Sequence, residues 1–187
     1  MSKVAVAPPL PFEMWFPARG ADNQLPPRLY GWLTEPGLLT ERIERRTGVP
    51  VHVHVLDERV GFLSADQQAL LGARLDSCLV RRIALVSGGT PYVYAETLVP
   101  DHTLELNPWL AELGNRSLGT ALAEYGDVIR GPLELAALPA SHPLATRALD
   151  LADASTDTLW ARRSWFAIGG MRLLVQEAFL PTVADRA

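Results

Sequence analysis

The stretch Trp160-Ala161-Arg162-Arg163-Ser164-Trp165-Phe166-Ala167-Ile168-Gly169-Gly170-Met171-Arg172-Leu173-Leu174-Val175-Gln176-Glu177-Ala178-Phe179-Leu180 decides the reading of this chain. Two runs rich in aliphatic and aromatic residues flank adjacent glycines, which reach the positive φ of a two-residue hairpin turn without steric cost. The spacing predicts antiparallel strands over 160–168 and 171–180. Side chains alternate across a strand, so Met171, Leu173, Val175, Glu177 and Phe179 share one face. Glu177 is the only charge on that face. A lone buried carboxylate is costly, so it must be paired, hydrogen-bonded or protonated. A two-residue turn sets Ile168 opposite Met171 and Arg162 opposite Glu177, so a structural ion pair and a ligand site both remain open.

A second hairpin repeats the arrangement. Strands over 79–86 and 92–99 flank Ser87-Gly88-Gly89-Thr90-Pro91. Leu79, Arg81, Ile83 and Leu85 share one face, and Arg82 falls on the other with Val80, Ala84 and Val86. Arg81 is the arginine expected inside, on the bulkier face. Turn counting puts Glu96 opposite Arg81, a register that Pro91 leaves in question. An inward arginine and an inward glutamate on one sheet suggest a small polar site in an apolar pocket. The planar guanidinium suits a carboxylate ligand, and such a pocket suits a small aromatic or cyclic acid.

Outward from the hairpins, residues 1–24 read as a loose N-terminal arm in which Trp15 and Phe16 could dock, and 25–187 as one domain. Helices are expected near 28–33 and 38–46, broken at Glu35-Pro36-Gly37 and ending near Gly48. A half-exposed strand follows over 49–60. A helix over 64–74 carries the capping pair Ser64 and Gln67. Further helices are expected over 103–113 and 120–125, a strand over 128–137, and a loop with a helical turn over 140–157. Hairpin-linked strands with intervening helices predict the α+β class: a single antiparallel β-sheet with helices on one side.

Composition narrows the function classes. The chain has 187 residues and a net charge of −4, so no positive field marks it for nucleic acid. Its single cysteine, Cys78, excludes an internal disulfide framework and fits a cytoplasmic location. The N-terminus is a poor signal peptide, and no run approaches the ~18 apolar residues of a membrane helix. His52 and His54 project from one strand face, but His102 and His142 add no ligand-like spacing. An exposed strand face accounts for the first pair better than a metal site does. A monomer is the default expectation.

Three blocks resemble the chorismate lyase family. They are Val80-Arg81-Arg82-Ile83-Ala84-Leu85 continuing to Thr97-Leu98-Val99-Pro100, then Leu113-Gly114-Asn115-Arg116-Ser117-Leu118-Gly119, then Leu159-Trp160-Ala161-Arg162-Arg163-Ser164 continuing to Gln176-Glu177-Ala178-Phe179-Leu180-Pro181. The resemblance implies an internal ligand cavity covered by helical flaps, and conversion of chorismate to 4-hydroxybenzoate and pyruvate early in ubiquinone biosynthesis. It implies Arg81 and Glu177 as catalytic residues, Arg81, Leu118, Leu39 and Glu177 as substrate-binding residues, and no metal or organic cofactor. Leu39 stands where the family has methionine, and a backbone contact would survive that change. On this reading Arg81 anchors the ring carboxylate with help from the Leu118 N–H. Glu177 hydrogen-bonds the oxygen that becomes the phenol, and either donates a proton or orients an internal hydrogen transfer. The enolpyruvyl carboxylate needs a second cation, for which Arg162 and Arg163 are candidates. A non-catalytic sensor of small aromatic acids, or a lyase for a related cyclohexadiene acid, would carry the same features.

Overall fold

The computed structural model describes residues 15–72 and 77–185. In chain order the elements are β1 (Phe16–Pro17), α1 (Pro27–Leu33), α2 (Leu39–Thr47), β2 (Val51–Phe62), α3 (Ala65–Leu71), β3 (Ser77–Ser87), β4 (Thr90–Pro100), α4 (Asp101–Leu106), α5 (Leu118–Tyr125), β5 (Val128–Arg130), β6 (Glu134–Pro139), α6 (Pro143–Ala152), β7 (Thr158–Ile168), β8 (Met171–Phe179) and α7 (Thr182–Asp185). The strands form one antiparallel sheet in the order β1-β6-β7-β8-β4-β3-β2, with β5 also paired to β7. The expected α+β class and single antiparallel sheet are found.

Both glycine turns form. Gly169 and Gly170 have φ of 57° and 82°, and the register beyond them sets Ile168 opposite Met171 and Arg162 opposite Glu177, as the turn requires. The other hairpin departs from simple counting. A bulge falls between Leu85 and Val86, where Pro91 has no N–H to give the ladder. The register moves by one residue: Arg81 lies opposite Thr97, and Arg82 opposite Glu96.

The helices divide between the two faces, which corrects the expectation of one covered side. On the first face, Trp32, Leu33, Leu39 and Ile43 of α1 and α2 pack on Ile83, Leu85, Val93, Ala95, Leu135 and Phe179. Leu118, Ala121 and Leu122 of α5 join Val99, Ile168 and Leu173 there. On the second face, Leu144, Ala145, Ala148 and Leu149 of α6 pack on Tyr94, Ala136, Ala161 and Ala178. The three alanines at those sheet positions let the helix approach closely. The sequence expectation left most of α6 as loop, although Pro143 at its first turn and the Leu144/Ala145/Ala148/Leu149 spacing are helical signals. Beside it, α3 covers Cys78, Val80, Leu98 and Leu174, with both bonds of the Ser64–Gln67 capping box formed.

Two other expected elements are interrupted. The helix predicted over 103–113 stops at Leu106, and Pro108 opens a separate 3-10 turn, Pro108–Ala111. The strand predicted over 128–137 breaks at Gly131-Pro132 into β5 and β6. Of the expected arm, 1–14 lie outside the described residues. Phe16 and Pro17 pair with Leu135 and Glu134, and Arg163 lies 4.5 Å from the Trp15 ring centroid.

Candidate active site

The first face of the sheet carries two rows of side chains beneath the N-terminal ends of α2 and α5. One row runs Arg81, Thr97, Val175, Ser164 across β3, β4, β8 and β7, and the next runs Ile83, Ala95, Glu177, Arg162. With Leu39 and Leu118, each the first residue of its helix, most of these side chains line a pocket of about 450 Å³. Ile83, Leu85, Ala95, Phe166 and Val175 make much of its surface apolar, and Glu177, Arg162, Ser164 and Arg130 supply polar atoms.

Glu177 is half-buried on this wall, where it lines the pocket and forms the ion pair with Arg162 that turn counting allowed. Arg162, itself 3% exposed at the side chain, donates from Nε to Glu177 Oε2 at 2.6 Å. The same guanidinium donates from Nη1 to the Glu35 carbonyl at 2.8 Å, so one arginine ties the pocket carboxylate to the turn between α1 and α2. That turn is braced further by Glu35, whose carboxylate accepts from Arg42 Nη1 at 2.7 Å and from the Gly37 N–H at 3.0 Å. The Arg42 bond holds the Glu35 carboxyl below the usual carboxylate range, against the opposing effect of burial.

Arg81 is 1% exposed. Its Nε donates to Glu58 Oε1 at 2.8 Å, and its Nη2 donates to the carbonyls of Gly114 and Arg116. Its Nη1 is buried and has no hydrogen-bond partner among the described residues. Arg81 is not itself among the pocket-lining residues. Its cross-strand neighbour Thr97 is, as are Ser117 and Leu118, which follow the loop carbonyls that Arg81 holds. The Ser117 hydroxyl caps α5 by accepting from the Thr120 N–H. The N–H of Leu118 belongs to the first turn, where no intrahelical acceptor exists.

The other arginine of each adjacent pair faces away from the pocket. Arg82 bonds Glu96 and Asp57. Glu96 also accepts from the Tyr94 hydroxyl and Arg147 Nε, each at 2.7 Å. Arg163 pairs with Glu134 and Asp66 on the second face, which corrects its candidacy for the enolpyruvyl carboxylate. Arg130 lines the pocket although the sequence reading passed over it. The break at Gly131-Pro132 hides the parity of the run in which it sits. His52 and His54 are exposed, and among the described residues no three His, Cys, Asp or Glu side chains converge on a metal-sized site. No helix among them is long and apolar enough to cross a membrane.

Fold and pocket together define an α+β protein with a hollow of small-molecule size against one face of its sheet. The sequence pattern of chorismate lyase matches residues 13–187, and the chain belongs to the chorismate lyase family. It is 38% identical over 176 residues to the protein named "Probable chorismate pyruvate-lyase" in Nitrosospira multiformis, covering 92% of this chain and 96% of that relative. It is 39% identical over 184 residues to the protein of the same name in Aromatoleum aromaticum, covering 92% and 95%. The fold is shared with the effector domain of PhnF from Mycobacterium smegmatis, at TM-score 0.56 and 14% identity over 78% of this chain and 90% of that one. It is also shared with a GntR-family transcriptional regulator from Bacillus cereus, at TM-score 0.51 and 10% identity over 71% and 92%.

Proposed function

We propose that the protein converts chorismate to 4-hydroxybenzoate and pyruvate, with Arg81, Glu177, Leu118 and Leu39 forming the substrate site, and that the product serves ubiquinone synthesis. The observation that carries this reading is the Arg81 guanidinium. It is almost wholly buried, next across the sheet to the pocket-lining Thr97, with Nη1 unpartnered among the described residues while Nε and Nη2 are held. A buried donor left unpaired costs about 1–3 kcal/mol. A ring carboxylate would remove that cost, with the Leu118 N–H as a second donor.

In the reaction, the bond between the ring and the ether oxygen breaks, and the oxygen leaves with the pyruvyl group. The neighbouring ring carbon, which bears the hydroxyl, gives its hydrogen to the enolpyruvyl methylene, which becomes the methyl group of pyruvate. The ring becomes aromatic and keeps its hydroxyl as the phenol, so atoms balance without a cofactor. Glu177 Oε2 is engaged by Arg162, and the carboxylate orients the ring hydroxyl from its other oxygen. Aromatisation drives the step, so positioning in a dry pocket supplies much of the catalysis. The helix starts at Leu39 and Leu118 cover the pocket and part for exchange of ligand.

Incubation of the purified protein with chorismate should yield 4-hydroxybenzoate and pyruvate in equal amounts. Formation of another hydroxybenzoate isomer would keep the substrate and overturn the reaction. Tight binding of 4-hydroxybenzoate without turnover of chorismate would instead make this a sensor of aromatic acids. The Arg81→Ala variant should bind 4-hydroxybenzoate about a hundredfold more weakly, the scale of a lost charge-assisted pair.

A further inference from the structure

Two cations line the pocket, Arg162 and Arg130. Arg162 is spent on Glu177 and on the backbone of the α1–α2 turn. Arg130 forms no ion pair with any described carboxylate. Its Nε donates to the Ser164 hydroxyl at 3.3 Å and its Nη1 to the Pro36 carbonyl at 3.2 Å, both neutral acceptors at long range. Its guanidinium carbon lies 5.5 Å from the Phe166 ring centroid. The group is thus positioned by a hydroxyl, a carbonyl and a ring face, with no described carboxylate at ion-pair distance.

The placement across the sheet is informative. Ser164, which Arg130 contacts, ends the row that begins with Arg81. Three strand spacings separate those two positions, roughly 14 Å between backbones. Thr97, Val175 and Ser164, which follow Arg81 along that row, all line the pocket of about 450 Å³, so the hollow extends from beside Arg81 to Arg130.

We propose that Arg130 holds the side-arm carboxylate of the substrate, so that the pocket tells a two-carboxylate substrate from its one-carboxylate ring product. This rests on the chorismate reading and extends it to a residue that neither sequence nor resemblance pointed to. Burial and the nearby Arg162 push Arg130 below the usual arginine range, with Glu177 partly opposing them. A cation that burial and a like charge disfavour gains from an incoming anion. After cleavage the ring product has nothing to offer Arg130, so substrate is held at two ends and product at one.

Two stable probes test this: 3-(1-carboxyvinyloxy)benzoate, which carries the side arm on the same ring carbon as the substrate, is already aromatic and cannot eliminate, and 3-methoxybenzoate, which lacks the second carboxylate. Calorimetry should show the wild type binding the diacid about tenfold to a hundredfold more tightly than the monoacid, the range of a hydrogen bond to a charged group. In Arg130→Ala that preference should collapse while monoacid affinity stays within about threefold, which also shows that the variant is folded. Arg130→Lys should keep part of the preference. Chorismate turnover by the wild type, together with a diacid preference that survives in Arg130→Ala or is lost equally for both probes, overturns the role of Arg130 alone. Absence of chorismate turnover overturns the reading on which it stands.

Discussion

Arg81 and Glu58 face each other across β3 and β2, and the contact sets which nitrogens of the guanidinium stay free. Glu58→Gln keeps an acceptor of the same shape but removes the charge that fixes Nε. If Arg81 grips the acid, this variant should raise KM for chorismate by about threefold to tenfold and leave kcat near wild type, since a charge-assisted bond becomes a neutral one. A fall in kcat at unchanged KM would assign Glu58 some other part. Cys78 offers a simpler check on packing. It is fully buried, and burial, followed by Asp101 and Glu96, pushes its thiol up to about 11. Only the thiolate is nucleophilic, so iodoacetamide at pH 8 should label it solely on unfolding. Rapid labelling of folded protein would contradict its place under α3. At this scale the sequence was legible where alternation ran unbroken. Glu177 and Arg162 could be set opposite each other from Gly169-Gly170 alone. Arg81 could be placed on the right face but not against its true neighbour, because the bulge beyond Leu85 is invisible to counting.

Among the elements, α6 gives the clearest pH dependence. The His142 Nδ1 accepts from the Leu144 N–H, so the cap requires neutral imidazole. Burial and Arg147 lower its pKa below 6.5, with Glu96 opposing. The unfolded chain then binds the proton more readily than the folded one. The cap's contribution is therefore full above pH 6.5 and is lost as pH falls through the lower folded value. His142→Asn keeps a capping oxygen that does not titrate. Thermal melting between pH 7.5 and 5 should fall more steeply for the wild type than for this variant, and equal slopes would discount the cap. The break between β5 and β6 makes a second prediction. A Cβ at Gly131 would overlap the Trp165 indole, so Gly131→Ala should cost about 1–3 kcal/mol in denaturant unfolding, the scale of overpacking. This break is also why Arg130 was missed: a single strand over 128–137 gives it no dependable face. The expectation for 140–157 failed differently: Leu144, Ala145, Ala148 and Leu149 carry a helical spacing after His142-Pro143, but the sequence reading takes the segment as a loop with a helical turn.

For the whole molecule, the sheet separates two kinds of interior. Its second face is closed by α6 and α3 over small and aliphatic side chains and over ion pairs that link Asp57, Arg82, Glu96 and Arg147. Its first face carries the pocket, and α5 meets the sheet beside that hollow. Amides of β7 and β8 should therefore exchange with deuterium only through global unfolding, whereas those of α5 should exchange through smaller openings. Adding 4-hydroxybenzoate should slow the second group selectively, and uniform slowing would argue against a separately opening front.

The Arg81 side chain gives that division a temporal meaning. One guanidinium clasps the Gly114 and Arg116 carbonyls and, on the reading proposed, the acid as well. Departure of the acid and loosening of that loop then draw on a single clasp, so neither proceeds far ahead of the other. How long the product lingers would be set by the persistence of two backbone contacts made at a distance from the bond that breaks.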